Sequence, residues 1–327
     1  MRGVGEPSGP SAGRLRRLTE ELNDEGLLGE GREWPDALLV ELDHALRPPT
    51  FEKRIPLFGA IFEPHIDPQA WREQTALTVS RRWVDEFHEA DARRYADGLS
   101  SWMVRHADGS VEVIVFDRPT GSERDLVVLA EATMGTLVQR HPSGVVRLVG
   151  DFGVLRWDGV GWHHEPPVKA WVRSLIGHGF EGDEKTLARL LAFAVYDLGA
   201  TGVGALLVYR PDGDCPAGYE LRLPTPPPYE IGRPEDLGPL RHVLALVDGA
   251  AVFDGTGILR HLGVRLVPSA EAEADVAGFR GMRHTSARRY SFDDPTATVI
   301  VVSEDGPVSV IRDGEVLYRP VEKRPPA

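Results

Sequence analysis

The chain has 327 residues, enough for two ordinary domains or one large one with a substantial buried core. Its 50 acidic against 37 basic residues leave a formal charge of −13, and with no long basic run such a surface repels nucleic-acid backbones. The one cysteine, Cys215, excludes an intrachain disulfide; no apolar stretch approaches the ~20 residues that span a bilayer, and residues 1–14 hold no signal-peptide segment, so a soluble protein of the reducing cytoplasm is expected.

Residues 3–13 are rich in Gly, Ser and Pro and read as a disordered start. The charged stretch from Leu15 to Glu30, with Leu18, Leu22 and Leu27-Leu28, reads as a short helix, which makes residues 1–34 a disordered or weakly helical tail. Pro35 to Leu46 carries a helical stripe of Leu38, Leu39, Leu42, Ala45 and Leu46, opened by Pro35-Asp36 and stopped by Pro48-Pro49. Ile55 to Phe62 reads as a strand and Trp71 to Tyr95 as largely helical. From Val111 the period changes to two. Val111–Phe116, Leu126–Ala132, Gly135–Gln139, Val145–Val149 and Gly153–Trp157 read as short strands, with turns at Asp108-Gly109, Pro142-Ser143-Gly144 and Asp158-Gly159. A meander after helices predicts a separate α+β domain over residues 35–167.

Three features of this stretch and its exit have plain structural readings. His163-His164-Glu165 offers metal ligands, but adjacent side chains on a strand point to opposite faces and no further ligand stands at a suitable spacing. Trp157 and Trp162 flank a turn, where cross-strand packing explains them. Gly199 to Gly204 follows a helix and enters a strand, the reverse of a phosphate loop, and reads as a helix C-cap and linker.

Over residues 168–327 the pattern alternates. Val168 to Ile176 and Asp183 to Leu198 read as helices, the second capped by Asp183 and stopped by Gly199. A core strand from Gly204 to Tyr209 leads into an irregular stretch through Pro224 to Pro228, then a helix from Pro234 to Leu246. Ala251 to Leu266 reads as a hairpin turned at Asp254-Gly255-Thr256-Gly257, and Thr298 to Val302 with Val308 to Arg312 as a second strand pair. Helices interleaved with strands predict an α/β domain, a mixed sheet flanked by helices.

The chemistry lies in two motifs of this half. Val247-Asp248-Gly249-Ala250 puts a carboxylate on a Gly turn, and Gly281-Met282-Arg283-His284-Thr285-Ser286-Ala287 opens a helix with an Arg-His pair. A carboxylate and a cationic helix start suit metal-assisted chemistry on a nucleotide phosphate. With the hairpin between them, Ser303-Glu304-Asp305-Gly306 after them and Gly204-Ala205-Leu206-Leu207-Val208 upstream, the ordered set resembles the diadenylate cyclase domain. That family is best known from the bacterial DNA-integrity scanning protein and its membrane-bound relatives, and it condenses two ATP molecules into cyclic di-AMP. The resemblance runs from about Asp183 to Asp313.

The resemblance implies roles residue by residue. Asp248 would bind the divalent cation, Mg²⁺ or Mn²⁺, and help activate the attacking 3′-hydroxyl, against the alternative of a turn-forming Asp before Gly. Gly249 would let the backbone approach the nucleotide, and Ala250 would keep the site small. Arg283 and His284, opened by Gly281 at a helix N-terminus, would contact phosphate oxygens. Thr285 departs from the Arg common at its position, so one cationic contact is lost; Arg288 or Arg289 is a candidate to replace it, and the Ser286 hydroxyl to reach a phosphate. Val247 stands where some relatives have His. Glu304, with Asp305 as an alternative, would assist metal or phosphate binding, and Leu262-Gly263 would meet adenine through their backbone.

The expected function is thus a diadenylate cyclase, a face-to-face homodimer regulated by an N-terminal domain of unidentified ligand. The rival reading is a catalytically weak nucleotide-binding sensor module for ATP or cyclic di-AMP. With residues 320–327 closing the sequence there is no room for a C-terminal DNA-binding module, and neither a membrane nor a specific nucleic-acid partner is expected.

Overall fold

The computed structural model describes residues 10–24, 32–50, 52–84, 86–213, 218–279, 281–304 and 307–318. Residues 3–9, Leu27-Leu28, Cys215, Asp305 and Pro320 to Ala327 lie outside the described residues. The chain divides between His164 and Glu165 into two compact units. Among the described residues, no helix is long and apolar enough to cross a membrane.

Unit 1 is built from α1 (Ala12–Leu22), α2 (Asp36–Leu46), β1 (Phe58–Phe62), α3 (Arg72–Thr75), β2 (Val79–Val84), α4 (Glu89–Tyr95), β3 (Ser101–Arg105), β4 (Val111–Phe116), α5 (Glu123–Thr133), β5 (Thr136–Arg140), β6 (Val146–Gly150), β7 (Gly153–Trp157) and β8 (Trp162–Glu165). The strands form one mixed sheet in the order β2-β4-β3-β1-β5-β6-β7-β8, with β1 parallel to β3 and antiparallel to β5. Leu18, Leu22, Leu38 and Leu42 from the first two helices pack on Phe58, Val113, Leu148 and Leu155 of the sheet. Trp157 and Trp162 pack across β7 and β8 with ring centroids 5.6 Å apart.

Two sequence expectations for this unit fail for identifiable reasons. The stretch 71–95 is helical only at its two ends, because Val79–Val84 pairs with β4, Arg82 opposite Ile114 and Trp83 opposite Val113. It is an edge strand, and Arg81 and Arg82 on its exposed surface mask the strand period. Residues 126–132 are a helix rather than a strand: Ser122 Oγ accepts from Asp125 N–H at 3.1 Å, and the Asp125 carboxylate accepts from Ser122 N–H at 3.4 Å. That capping box starts α5, whose buried Leu126, Leu129, Ala130 and Thr133 share a helical face despite the β-branched Val127-Val128. Strand β3 carries a short Trp102-Met103-Val104 run that the sequence reading passed over.

The sheet surfaces of unit 1 hold buried carboxylates, each clamped by arginine. Glu41 receives Arg93 at 2.5 and 2.6 Å, Glu112 receives Arg82 and His106, and Glu123 receives Arg156. Burial pushes the Glu41 carboxyl up, while the hydrogen bond and charge of Arg93 pull it back. Such clamps cost desolvation, so losing one partner strands a buried charge.

Unit 2 contains α6 (Val168–Gly177), α7 (Glu184–Phe193), a π-helical turn at Ala194–Leu198 and a 3-10 turn at Gly199–Thr201. Then follow β9 (Ala205–Tyr209), β10 (Tyr219–Glu220), α8 (Pro234–Leu246), β11 (Ala250–Phe253), β12 (Leu259–Leu266), α9 (Ala270–Asp275), α10 (Met282–Asp293), β13 (Thr298–Val302), β14 (Ser309–Arg312) and β15 (Glu315–Tyr318). The mixed sheet runs β10-β12-β11-β9-β13-β14-β15. Its central strands β9, β11 and β13 are buried along their whole length, as continuous apolar runs in a sheet covered on both faces must be. Asp183 caps α7 by accepting from Thr186 N–H at 2.6 Å. The helix does not stop at Gly199; it widens, tightens and ends at Gly202, whose φ of 68° is left-handed. The hairpin turns where expected, on Asp254, which accepts from Thr256 N–H, Ile258 N–H and Arg260 Nε.

His44 on α2 gives unit 1 a defined acid response. Its ring meets Phe58 edge-on at 4.9 Å, and burial, with the nearby Arg93 charge, pushes the imidazole down to about 4. The unfolded chain takes up this proton near pH 6.5, before the folded one does. The stabilisation is therefore full above about pH 6.5 and lost as pH falls toward 4. Urea midpoints at pH 7 and pH 5 should differ less in His44→Gln than in the parent; equal slopes would remove His44 from the acid response.

Candidate functional site

Sheet register decides what meets at the site. Strands β9 and β11 run parallel with Leu206 opposite Ala250, which puts Gly204 and Asp248 side by side at the same end of the sheet. Strand β13 runs against β9 with Val302 opposite Ala205, so Glu304 follows at that end, and β14 enters there with Ser309 opposite Val301. Helix α10 delivers its N-terminus to the same place: Arg283 Nη1 and Nη2 each lie 3.3 Å from Glu304 Oε1, and His284 Nε2 lies 3.3 Å from Ser309 Oγ. Four chain segments widely separated in sequence thus converge on one sheet end.

Asp248 is exposed at the mouth of β11, with Oδ1 accepting from Gly249 N–H at 3.0 Å. Gly249 has φ 110°, and a Cβ there would stand 2.7 Å from the Gly263 carbonyl carbon. The backbones of β11 and β12 touch at these two glycines, which is why no side chain fits. Gly263 itself has φ 67° and lies under Leu223 and Val247. Ala250 and Leu262 are buried beside it. No hydrogen bond or ion pair joins Asp248 to Arg283; the sheet register, not a direct contact, places them together.

The start of α10 separates its two expected anion binders. Arg283 is half-exposed and free to turn toward solvent, whereas His284 is buried between Ser309 and the edge of Phe279, 5.9 Å away. Gly281, the N-cap, has φ 141° and makes no side-chain cap, so the first N–H groups of the helix point outward. Thr285 has a structural task that the sequence did not reveal. Its Oγ1 accepts from Phe279 N–H at 3.1 Å and donates to Phe279 carbonyl O at 3.3 Å. Arg288 donates to the carbonyls of Gly314 and Ala277, with its guanidinium 5.7 Å from the Phe279 ring, and Arg289 donates to the carbonyls of Val276 and Glu273. Both arginines are engaged in holding the loop before the helix, so neither stands ready as the replacement for a missing phosphate contact. Ser286 is half-buried.

Ser309 and Phe279 escaped the sequence reading. A lone Ser inside Val308-Ser309-Val310-Ile311 was the available signal for the first; nothing local marks the second. The tempting histidines elsewhere are satisfied otherwise, His163 by Asp158 Oδ2 at 2.9 Å and His164 by the Phe152 carbonyl at 2.8 Å. Among the described residues, no group of three or more His, Cys, Asp or Glu is arranged to hold a metal ion.

Residues 16–165 match the family described as probable sensor domain DACNK, and residues 232–316 match the family described as DAC, DisA bacterial checkpoint controller nucleotide-binding. Among solved structures, the crystal structure of a hypothetical membrane spanning protein from Bacillus cereus is similar at 18% identity over 46% of this chain and 85% of that one, with a TM-score of 0.32, a likeness too slight to carry an argument. No curated protein matches the chain.

The glycine contact at the foot of Asp248 is directly testable. Gly249→Ala adds a side chain at a left-handed φ and into the Gly263 backbone, costs of about 1–3 kcal/mol each. Chemical denaturation should show a loss of about 2–4 kcal/mol; a loss below 1 kcal/mol would mean that the two strands separate there without penalty.

Proposed function

We infer that this chain, which belongs to the diadenylate cyclase family through residues 232–316 and carries a probable sensor domain over residues 16–165, joins two ATP molecules into cyclic di-AMP with release of pyrophosphate. The observation that carries this reading is the convergence of Asp248, Arg283 and Glu304 on one sheet end. A hydroxyl attacking a phosphate needs an oxygen-ligand carboxylate near the nucleophile and cationic donors near the phosphates. The exposed Asp248 and the half-exposed Arg283 are of those two kinds.

The donor set fits a hard divalent cation that arrives with the nucleotide. One exposed carboxylate offers oxygen ligands and leaves the remainder of the shell to triphosphate oxygens and water, as Mg²⁺ and Mn²⁺ favour. When bound, such an ion lowers the pKa of the attacking 3′-hydroxyl and neutralises phosphate charge. In this chain Asp248 orients that hydroxyl side. Arg283, with five N–H donors, holds phosphate oxygens beside the outward N–H groups of α10. His284, fixed against Ser309 and Phe279, keeps the helix start in place. The N-terminal unit regulates the reaction.

A second reading, nucleotide sensing without turnover, draws on one observation: Thr285, Arg288 and Arg289 all serve the 273–279 loop. Mass spectrometry of products after incubation with ATP and Mn²⁺ or Mg²⁺ separates the two. Cyclic di-AMP and pyrophosphate are expected, with Asp248→Asn slower by roughly 10²-fold or more, the size of losing one transition-state contact. A wild type that binds ATP but forms no product would favour the sensor.

The product's two equivalent linkages require each ATP to attack and to be attacked, which points to two copies facing each other across a two-fold axis. Specific activity should fall on dilution wherever sedimentation shows dissociation to monomers. Undiminished activity in a monomeric sample would rule out this arrangement.

A further inference from the structure

The contact between Arg283 and Glu304 sits on a surface shaped to receive it. Both guanidinium Nη atoms approach one carboxylate oxygen at 3.3 Å, and the pair lies across Gly204 at the mouth of β9. A Cβ on Gly204 would stand 2.2 Å from Arg283 Nη1, 2.9 Å from Glu304 Cγ and 3.0 Å from Glu304 Oε1. Gly204 is not among the glycines with positive φ, so its backbone would accept any residue. What the position requires is the space above it. The pair is open to solvent, with side-chain exposures of 45% for Arg283 and 62% for Glu304, so an incoming anion can reach the guanidinium.

Carboxylate and phosphate compete for the same fork of N–H donors, and two anions on one guanidinium repel each other. We propose that Glu304 is an internal stand-in for substrate phosphate, occupying the Arg283 donors until nucleotide displaces it, and that Gly204 is the positioning residue whose missing side chain lets the guanidinium lie on the mouth of β9. The inference rests on the phosphate-binding role of Arg283 stated above. It gives Glu304 a sign opposite to that of an assisting ligand when no metal is present. Removing its charge frees Arg283 for the anion; adding a methyl group at Gly204 keeps both charges and moves the guanidinium off its seat. Because that methyl meets side-chain tips rather than backbone, the fold survives the change.

Calorimetric titration of the full chain with inorganic tripolyphosphate, and separately with ATP, in EDTA at low ionic strength, tests this. Glu304→Gln should bind both about two- to fivefold more tightly than the parent, a gain limited by the weakness of half-exposed ion pairs and erased by high salt. Gly204→Ala should bind both more weakly at an unchanged melting temperature. Arg283→Ala should lose binding and make the further Glu304→Gln change silent. Equal or weaker binding by Glu304→Gln overturns the proposal, whether or not Gly204→Ala folds. Binding indifferent to Arg283→Ala would instead sink the phosphate role of Arg283, and this inference with it.

Discussion

The pairing of β9 between β11 and β13 is the constraint on which the site depends. All three strands are buried from end to end, so their register is held by close packing on both faces. A slip of one residue would turn every side chain of a strand to the other face. A slip of two would keep the faces and still carry Asp248 about 7 Å away from Gly204. Apolar residues that never touch a nucleotide, such as Leu207, Val252 and Ile300, thereby set where the polar ones stand.

Around that frame, backbone approach replaces side chains wherever the polar groups must be close. Gly249 against Gly263 draws β11 and β12 together beneath Asp248, and Gly204 leaves room for two charged side chains. The helix start is secured by a different device. Thr285 grips Phe279 by its main chain, Arg288 lies near the ring, and Phe279 in turn meets His284. Where a relative with Arg at this position has an additional charge, this chain has a tie that orders the preceding loop. In unit 1, the buried Glu41, Glu112 and Glu123 fix strand and helix positions through arginine, an arrangement that specifies geometry more than it adds stability.

Much of unit 2 was legible because its signals are local. Pro234 at the first turn of a helix, Asp254-Gly255 in a hairpin and the apolar runs of β9 and β13 each determine structure within a few residues. The motif residues Asp248, Arg283, His284 and Glu304 were equally visible, and it is the register that brings them to one end of the sheet. Unit 1 was harder. Val79–Val84 is an exposed edge whose arginines hide its period, and Leu126–Ala132 favours a strand by composition while the cap at Ser122 makes it a helix. Ser309 and Phe279 were beyond reach because their importance lies in what approaches them from residues 25 and 5 positions away, a property of packing alone.

The π-helical turn at Ala194–Leu198 adds a consequence of another kind. It lies between the regular turns of α7 and the left-handed Gly202, and a wider turn of this sort accommodates one residue more than an α-helix would. Deleting one residue there would let the α-helix run on, and everything beyond it would rotate by about 100° and retreat by about 1.5 Å. Gly204 lies only six residues past the turn. Chain length in a segment with no chemical task is therefore itself a determinant of the site, and an alignment that placed a gap there would predict a protein whose strand mouth no longer faces Arg283.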